Sequence, residues 1–87
     1  MSGYHLLVDW EVIEAINRLP RRTREILRRA LGQIAATPDR LSDYREPNSR
    51  GIPLDVHLCG GFAIKYWIDF ADRHVKVLDL EPADRGV

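Results

Sequence analysis

Apolar side chains repeat along the chain with two different periods, and the changes of period mark the predicted elements. The segment YHLLVDW, residues 4–10, alternates with a period of two and carries apolar residues on both faces, which predicts an inner first strand. The helical spacing i, i+3, i+4, i+7 follows at Val12, Ala15, Ile16 and Leu19. A first helix is therefore expected, and it ends at Pro20.

A second helix is predicted from about residue 20 to residue 37, because proline is tolerated at a first helical position and Pro38 stops the pattern. Its apolar stripe consists of Ile26, Leu27, Ala30, Leu31 and Ile34. Arginines cover the rest of the surface. They are either the solvated face of an amphipathic helix or a docking face for an acidic peptide or nucleic acid, formed by Arg21, Arg24 and Arg28.

Residues 37–53 hold three prolines and a glycine, which predicts a long loop. Strand-like segments follow at about 52–58, 62–70 and 74–81. Two adjacent apolar residues in the last segment, Val77 and Leu78, indicate an inner strand or a bulge. The element order β-α-α-β-β-β predicts an α+β fold in which a two-helix hairpin packs on one face of a small, mainly antiparallel, four-stranded sheet.

The 87 residues are enough for one domain, 1–87, with residues 82–87 as a frayed tail. We expect no signal peptide and no membrane span, since no apolar run is long enough and the N-terminal segment lacks a basic region. Cys59 is alone, which favours a reducing compartment, and the cytoplasm is the expected location. The isolated histidines show no metal-ligand spacing, so neither a metal nor another cofactor is expected.

Charge is balanced over the chain but unevenly placed. Residues 18–29 hold six arginines and one glutamate, whereas acids outnumber bases from Asp69 onward. A formal net charge of zero argues against a nucleic-acid binder that relies on phosphate contacts alone.

The segment DVHLCGGFAIKYWID, residues 55–69, predicts a β-hairpin around Gly60 and Gly61. A two-residue loop would place the apolar residues of one strand on the same face as the polar residues of the other. A three-residue loop, residues 59–61, places Val56 opposite Ile64 and forms a uniform apolar face toward the helices. We therefore predict the three-residue loop.

In that register, Asp55, His57, Lys65 and Trp67 share the face of the sheet that points away from the helices. One interpretation is a surface Asp–Lys pair beside an exposed histidine. The other is a binding surface, since a tryptophan beside a cation is typical of contact regions.

The element order, the helical hairpin that ends in IAATP and the strand motif at Gly61, Phe62, Ile64 and Tyr66 resemble the RelE/ParE toxin superfamily of bacterial toxin–antitoxin modules. The resemblance extends from about residue 4 to residue 80. It implies a cognate antitoxin as partner and one of two targets. One branch of the family cleaves mRNA on the ribosome, and another inhibits DNA gyrase.

For the nuclease branch, the resemblance implies a general base and phosphate-binding cations on the open sheet face. His57 is the candidate base because its unperturbed pKa suits proton transfer near neutral pH, and Lys65 is the candidate phosphate contact. Further RNA-binding candidates are Tyr44, Arg45, Arg50 and Trp67.

The sequence departs from the nuclease pattern in three places. Ala63 stands where the family usually has arginine, Asp55 and His57 stand where a basic residue is frequent, and Glu81 begins an acidic segment after the last strand. The sequence therefore predicts a toxin with a weakened basic site. The alternative is a catalytically inactive or gyrase-inhibiting relative that acts as a binding protein held by its antitoxin.

Overall fold

The computed structural model describes residues 3–83. Within this range the chain forms three helices, α1 (Trp10–Asn17), α2 (Arg21–Ala36) and α3 (Pro38–Leu41). The strands of the same range are β1 (His5–Val8), β2 (Tyr44–Pro47), β3 (Pro53–Cys59), β4 (Phe62–Asp69) and β5 (His74–Pro82). The predicted α+β class is confirmed, and both main helices begin and end within three residues of their predicted bounds.

Two short elements, α3 and β2, lie where the sequence predicted only a loop. Within residues 3–83, the sheet has five strands in the order β1-β5-β4-β3-β2, rather than the predicted four. The added strand, β2, pairs antiparallel with β3 and places Tyr44 opposite Val56. Pro47 and the neighbouring prolines concealed this strand, because proline is tolerated only at the edge of a sheet, and β2 is an edge strand.

The first strand is also an edge strand, so its predicted inner position is wrong. β1 pairs only with β5 among the described strands, in parallel. Leu7, which suggested burial on both faces, is 40% exposed on the side away from the helices. The last strand, β5, is an inner strand between β1 and β4. Its pairing with β4 is irregular opposite Lys65 and Tyr66, where Leu78 bulges out of the ladder. The predicted inner position and the predicted bulge are both confirmed. Pro82 belongs to β5 and not to the predicted tail, whose residues 84–87 lie outside the described residues.

The core lies between the helices and one face of the sheet. Its helical side chains are Val12, Ile16, Leu27, Ala30 and Ile34, and its strand side chains are Ile64, Tyr66, Ile68, Val75 and Val77. Each fully buried aliphatic side chain contributes roughly 1.5–3 kcal/mol relative to an exposed one. Within residues 3–83, no helix has the length and apolar content that a membrane crossing requires.

The hairpin between β3 and β4 has a two-residue loop, so the predicted three-residue loop is wrong. Cys59 pairs with Phe62, and Val56 pairs with Lys65. Gly60 and Gly61 have φ angles of 59° and 83°. Two successive positive φ angles form the type I′ turn, whose twist matches that of the flanking strands, and glycine adopts both angles without steric strain.

This register turns β3 over relative to our expectation. We define the helix face of the sheet as the side of Ile64 and Tyr66, and the open face as the opposite side. Because partners in a ladder share a face, Asp55 and His57 lie on the helix face, and Val56 joins Lys65 on the open face.

Candidate functional site

His57 is packed on the helix face against α3. Its Nδ1 atom lies 2.8 Å from the carbonyl oxygen of Leu41, and because a carbonyl only accepts, Nδ1 donates. The same atom is 3.4 Å from Asp43 Oδ2, and the imidazole is only 15% exposed. The structure therefore does not bring His57 together with Lys65, which lies on the other face.

Asp55, predicted to pair with Lys65, is buried on the helix face and accepts a hydrogen bond from Arg45 Nε at 3.2 Å. Arg45 reaches this carboxylate from the neighbouring edge strand, β2. The pairing supplies the compensating charge that a buried carboxylate needs.

Lys65 lies on the open face between two carboxylates. Its Nζ donates to Glu46 Oε2 at 2.5 Å and to Glu81 Oε1 at 3.1 Å, and its side chain is only 14% exposed. The hydrogen bond that Lys65 donates to Glu46 raises the pKa of Lys65 above its ordinary value; burial opposes this shift and Glu81 reinforces it. An ammonium group held in this way has little capacity left for a phosphate.

A third carboxylate, Asp79, lines the same surface. Burial raises the pKa of Asp79, and so does its hydrogen bond with Glu81. We call the cavity of about 450 Å³ around these groups the carboxylate pocket, and its charged lining residues in the described chain are Glu46, Lys65, Asp79 and Glu81. Three carboxylates around one ammonium make this region of the open face electronegative.

Next to the carboxylate pocket lies an apolar groove of about 430 Å³. It is lined by Ile52, Leu54, Trp67 and Leu78, and by one polar residue, Asn48. Ile52 and Leu78 are 42% and 39% exposed. Lys76 Nζ lies 5.4 Å from the centroid of the Trp67 ring, a cation–π contact. Asn48, Leu54 and Leu78 line both cavities, so the groove adjoins the pocket.

The predicted RNA-binding residues do not form one cluster. Tyr44 and Trp67 are on the open face, since Tyr44 pairs with Val56 and Trp67 alternates with Lys65. Arg45 points to the helix face. Arg50 is exposed in the turn before β3, where its backbone N–H donates to Asn48 Oδ1 at 2.9 Å.

The three arginines predicted to bind a partner line α2, and each makes a local contact. Arg21 Nε lies 3.2 Å from Glu25 Oε2, and both side chains are largely exposed. Arg24 donates to the Leu19 carbonyl oxygen at 3.3 Å, and Arg28 to Asn17 Oδ1 at 2.7 Å. The last two contacts fasten α2 to the end of α1 and its connection. Partner binding by these arginines stays a prediction.

One group of metal-ligating residue types forms that the sequence did not indicate. Ligand atoms of Asp69, Asp72 and His74 lie within 4.8 Å of one another at the β4–β5 turn. The His5 ring centroid is 5.4 Å from that of His74. Asp69 Oδ1 also accepts a hydrogen bond from the Asp72 backbone at 3.2 Å, the usual role of aspartate in a tight turn.

The residues that sequence reasoning missed are the carboxylates that surround Lys65. Glu46 was hidden in a predicted loop, and Asp79 and Glu81 were counted only as part of an acidic segment. Gly-Gly between two alternating strands is a signal for a type I′ turn. That turn would have placed Lys65 opposite Val56, on a face without His57.

The whole fold is similar to that of solved RelE structures. An archaeal RelE–RelB complex from Pyrococcus horikoshii OT3 matches with a TM-score of 0.80 and 18% identity, over 98% of this chain and 100% of that one. The RelBE2 toxin–antitoxin complex from Mycobacterium tuberculosis matches with a TM-score of 0.72 and 20% identity, over 94% and 93% of the two chains.

Escherichia coli toxin RelE, a double arginine-to-alanine mutant in the free state, matches with a TM-score of 0.62 and 17% identity, over 95% of this chain and 86% of that one. No protein-family model and no curated protein sequence matches the chain. Identities of this size are informative about the fold. The predicted structural resemblance is confirmed: the chain has the fold of RelE toxins.

Proposed function

We propose that the chain is the toxin component of a type II toxin–antitoxin module and is held by a cognate antitoxin. The observation that carries the proposal is the similarity of fold over nearly the full length of both chains, to RelE–RelB and RelBE2 complexes and to free RelE. The predicted cytoplasmic location accords with such a role.

We further infer that the toxin acts by binding a target protein, for which DNA gyrase is the candidate, rather than by cutting mRNA on the ribosome. The carboxylate pocket supports this choice. Glu46 and Glu81 neutralise Lys65, and Asp79 adds charge that repels a phosphate. The mRNA-cleaving alternative needs uncompensated cations that orient phosphates and stabilise developing charge.

The proposal is tested by inducible expression in a bacterial host, with and without a candidate antitoxin, which would be a short reading frame encoded beside the gene. We expect growth arrest when the chain is expressed alone and normal growth when the neighbouring protein is present. Mapping of transcript ends after induction should show no new cleavage sites. Unimpaired growth at a verified level of soluble protein would contradict the toxin role and leave a non-toxic binding protein.

The predicted catalytic roles of His57 and Lys65 are tested in the same host. If arrest results from RNA cleavage, both His57→Ala and Lys65→Ala abolish arrest and the new transcript ends together. On our proposal, Lys65→Ala retains arrest at equal soluble expression. The matched control is Lys76→Ala, which removes the other described open-face lysine. New transcript ends that vanish in Lys65→Ala would overturn our choice of mechanism.

A further inference from the structure

We propose that the open face is the docking site for a segment of the antitoxin that carries a basic side chain next to apolar ones. The basic side chain enters the carboxylate pocket, and its apolar neighbours cover the groove formed by Ile52, Leu54, Trp67 and Leu78. This inference rests on the proposed function for the identity of the partner. The chemistry of the segment follows from the surface alone.

The apolar part of the inference comes from the exposure of large side chains away from the helices. Leu78 is pushed outward by the bulge in β5, and it stands beside Trp67 and Ile52 with about 40% of its surface open to solvent. Exposed apolar side chains that adjoin in a groove are typical of protein-binding surfaces, and tryptophan is frequent among residues that dominate binding energy. The groove therefore suits aliphatic or aromatic side chains.

The charge of the carboxylate pocket, at one end of the groove, determines which side chain the bound segment carries next to its apolar residues. Among the described residues that line the carboxylate pocket, one ammonium faces three carboxylates, and the pKa of Asp79 is raised by burial beside Glu81. An added guanidinium or ammonium group compensates this excess and donates charge-assisted hydrogen bonds to the carboxylates. A phosphate or an acidic peptide meets repulsion there.

The carboxylate pocket and the apolar groove share lining residues. The preference of the pocket for a basic side chain and that of the groove for apolar side chains therefore apply to one bound segment. Leu54 and Leu78 contact both spaces, so a segment that fills the groove delivers its next side chains to Glu46 and Glu81. The arginine surface of α2 has the opposite charge and lies on the helix side of the sheet. A basic segment is therefore directed to the open face.

A peptide-display selection tests the chemistry without depending on toxicity. A library of random dodecapeptides is selected on the purified protein, with removal of phage that bind the Leu78→Asn variant. We expect the surviving peptides to be enriched in Arg or Lys adjacent to Leu, Ile or aromatic residues. Leu58→Asn is the matched control, because Leu58 is comparably exposed but lies outside the groove, and it should bind the selected peptides like the unmodified protein.

The contribution of the pocket is measured with the selected peptides by fluorescence anisotropy. The double variant Glu46→Gln, Glu81→Gln keeps side-chain oxygens near Lys65 but removes two charges, and we expect about tenfold or greater loss of affinity. Glu25→Gln, which removes a charge on α2, should leave affinity unchanged. Circular dichroism confirms that each variant is folded.

Competition decides whether the antitoxin is the occupant. The protein encoded by the neighbouring reading frame should displace the selected peptides, and a twelve-nucleotide single-stranded RNA should not. No enrichment over Leu78→Asn, enrichment of acidic peptides, or displacement by the RNA alone would overturn the proposal. Basic–apolar peptides that the neighbouring protein fails to displace would overturn the antitoxin as occupant. Failure of the toxin role itself appears separately, in the growth assay.

Discussion

The ionisable side chains on the two faces of the β3–β4 hairpin have different partners. On the helix face, Asp55 accepts a hydrogen bond from Arg45, and His57 donates one to the Leu41 carbonyl oxygen. On the open face, Lys65 binds two carboxylates and a third, Asp79, adds negative charge. Polar groups that are matched one to one stabilise the fold, whereas an excess of one charge beside an apolar groove is suited to a ligand. The contrast assigns structure to the first face and recognition to the second.

The largest expected effect on the free energy of unfolding comes from shortening an apolar side chain on the helix face, compared with the same change on the open face. Ile64 is fully buried on the helix face, so Ile64→Ala should lower the free energy of unfolding by about 2–5 kcal/mol. Leu78 is 39% exposed on the open face, and Leu78→Ala should cost less than about 1 kcal/mol. Urea denaturation followed by circular dichroism measures both. Equal losses would mean that the open face is also part of the core.

A smaller effect is expected from removing one hydroxyl on the helix face. Tyr66 donates to the Pro38 carbonyl oxygen at 2.6 Å, and burial, followed by the nearby Asp55, raises the pKa of its phenol. Tyr66→Phe removes this donor from a buried carbonyl oxygen and should cost about 1–3 kcal/mol. Tyr44→Phe is the control on the open face, and its cost should stay within about 0.5 kcal/mol. If the two variants are equally stable in urea, the hydrogen bond between Tyr66 and α3 does not contribute to the stability of the fold.

The sequence was sufficient to predict the order of the two long helices and of strands β1, β3, β4 and β5, because the helical and strand periods are strong in these segments. Val12 and Ile16 on α1, and Leu27, Ala30 and Ile34 on α2, were correctly placed toward the core. The short elements α3 and β2 were missed. Each holds four residues, too few for a periodic signal, and the pairing with β3 that stabilises β2 is not local in sequence.

The site could not be predicted, because the hairpin register rested on the assumption that only one face of β3 is apolar. Leu54 and Val56 are nearly fully buried although they lie on the open face. The polar residues of the helix face acquire partners from α3, β2 and their connections, which the sequence did not reveal. Turn chemistry at Gly60 and Gly61 was therefore better evidence for register than the apolar pattern.

An intermediate effect tests the charge arrangement at Lys65. Lys65→Met leaves carboxylates around an apolar side chain, and because Glu46 and Glu81 are more than a third exposed we expect a cost of about 1–2 kcal/mol at neutral pH. Lys76→Met, which removes an exposed lysine above Trp67, should cost less than about 0.5 kcal/mol. Denaturant titrations at neutral pH measure both values.

The pH dependence of that cost has a defined sign. The folded-state pKa of Lys65 is raised above 10.5, so the folded protein holds this proton more tightly than the unfolded chain does. The stabilisation is complete below pH 10.5 and is lost as the pH rises through the higher folded-state pKa. As the pH rises from neutral, the difference between the protein and Lys65→Met should therefore begin to shrink only near pH 10.5 and above. A difference that already vanishes between about pH 7 and 9 would show that the ion pairs are not formed.

The smallest effect should be a gain in stability. The pKa of Asp79 is raised from 3.8, so its contribution is favourable below that pH and is lost as the pH rises through the higher folded-state pKa. Asp79→Asn removes this penalty and keeps the oxygen that accepts from Leu80 N at 2.8 Å. Because solvent screens the carboxylates, the gain at neutral pH should be less than about 1 kcal/mol, measured by denaturant titration.

The same substitution should weaken peptide binding. A basic ligand in the carboxylate pocket compensates the negative charge of Asp79, and Asp79→Asn removes that charge. If Asp79→Asn is less stable than the protein, or binds basic peptides more tightly, the open face does not have the excess of negative charge on which the contrast between the two faces depends.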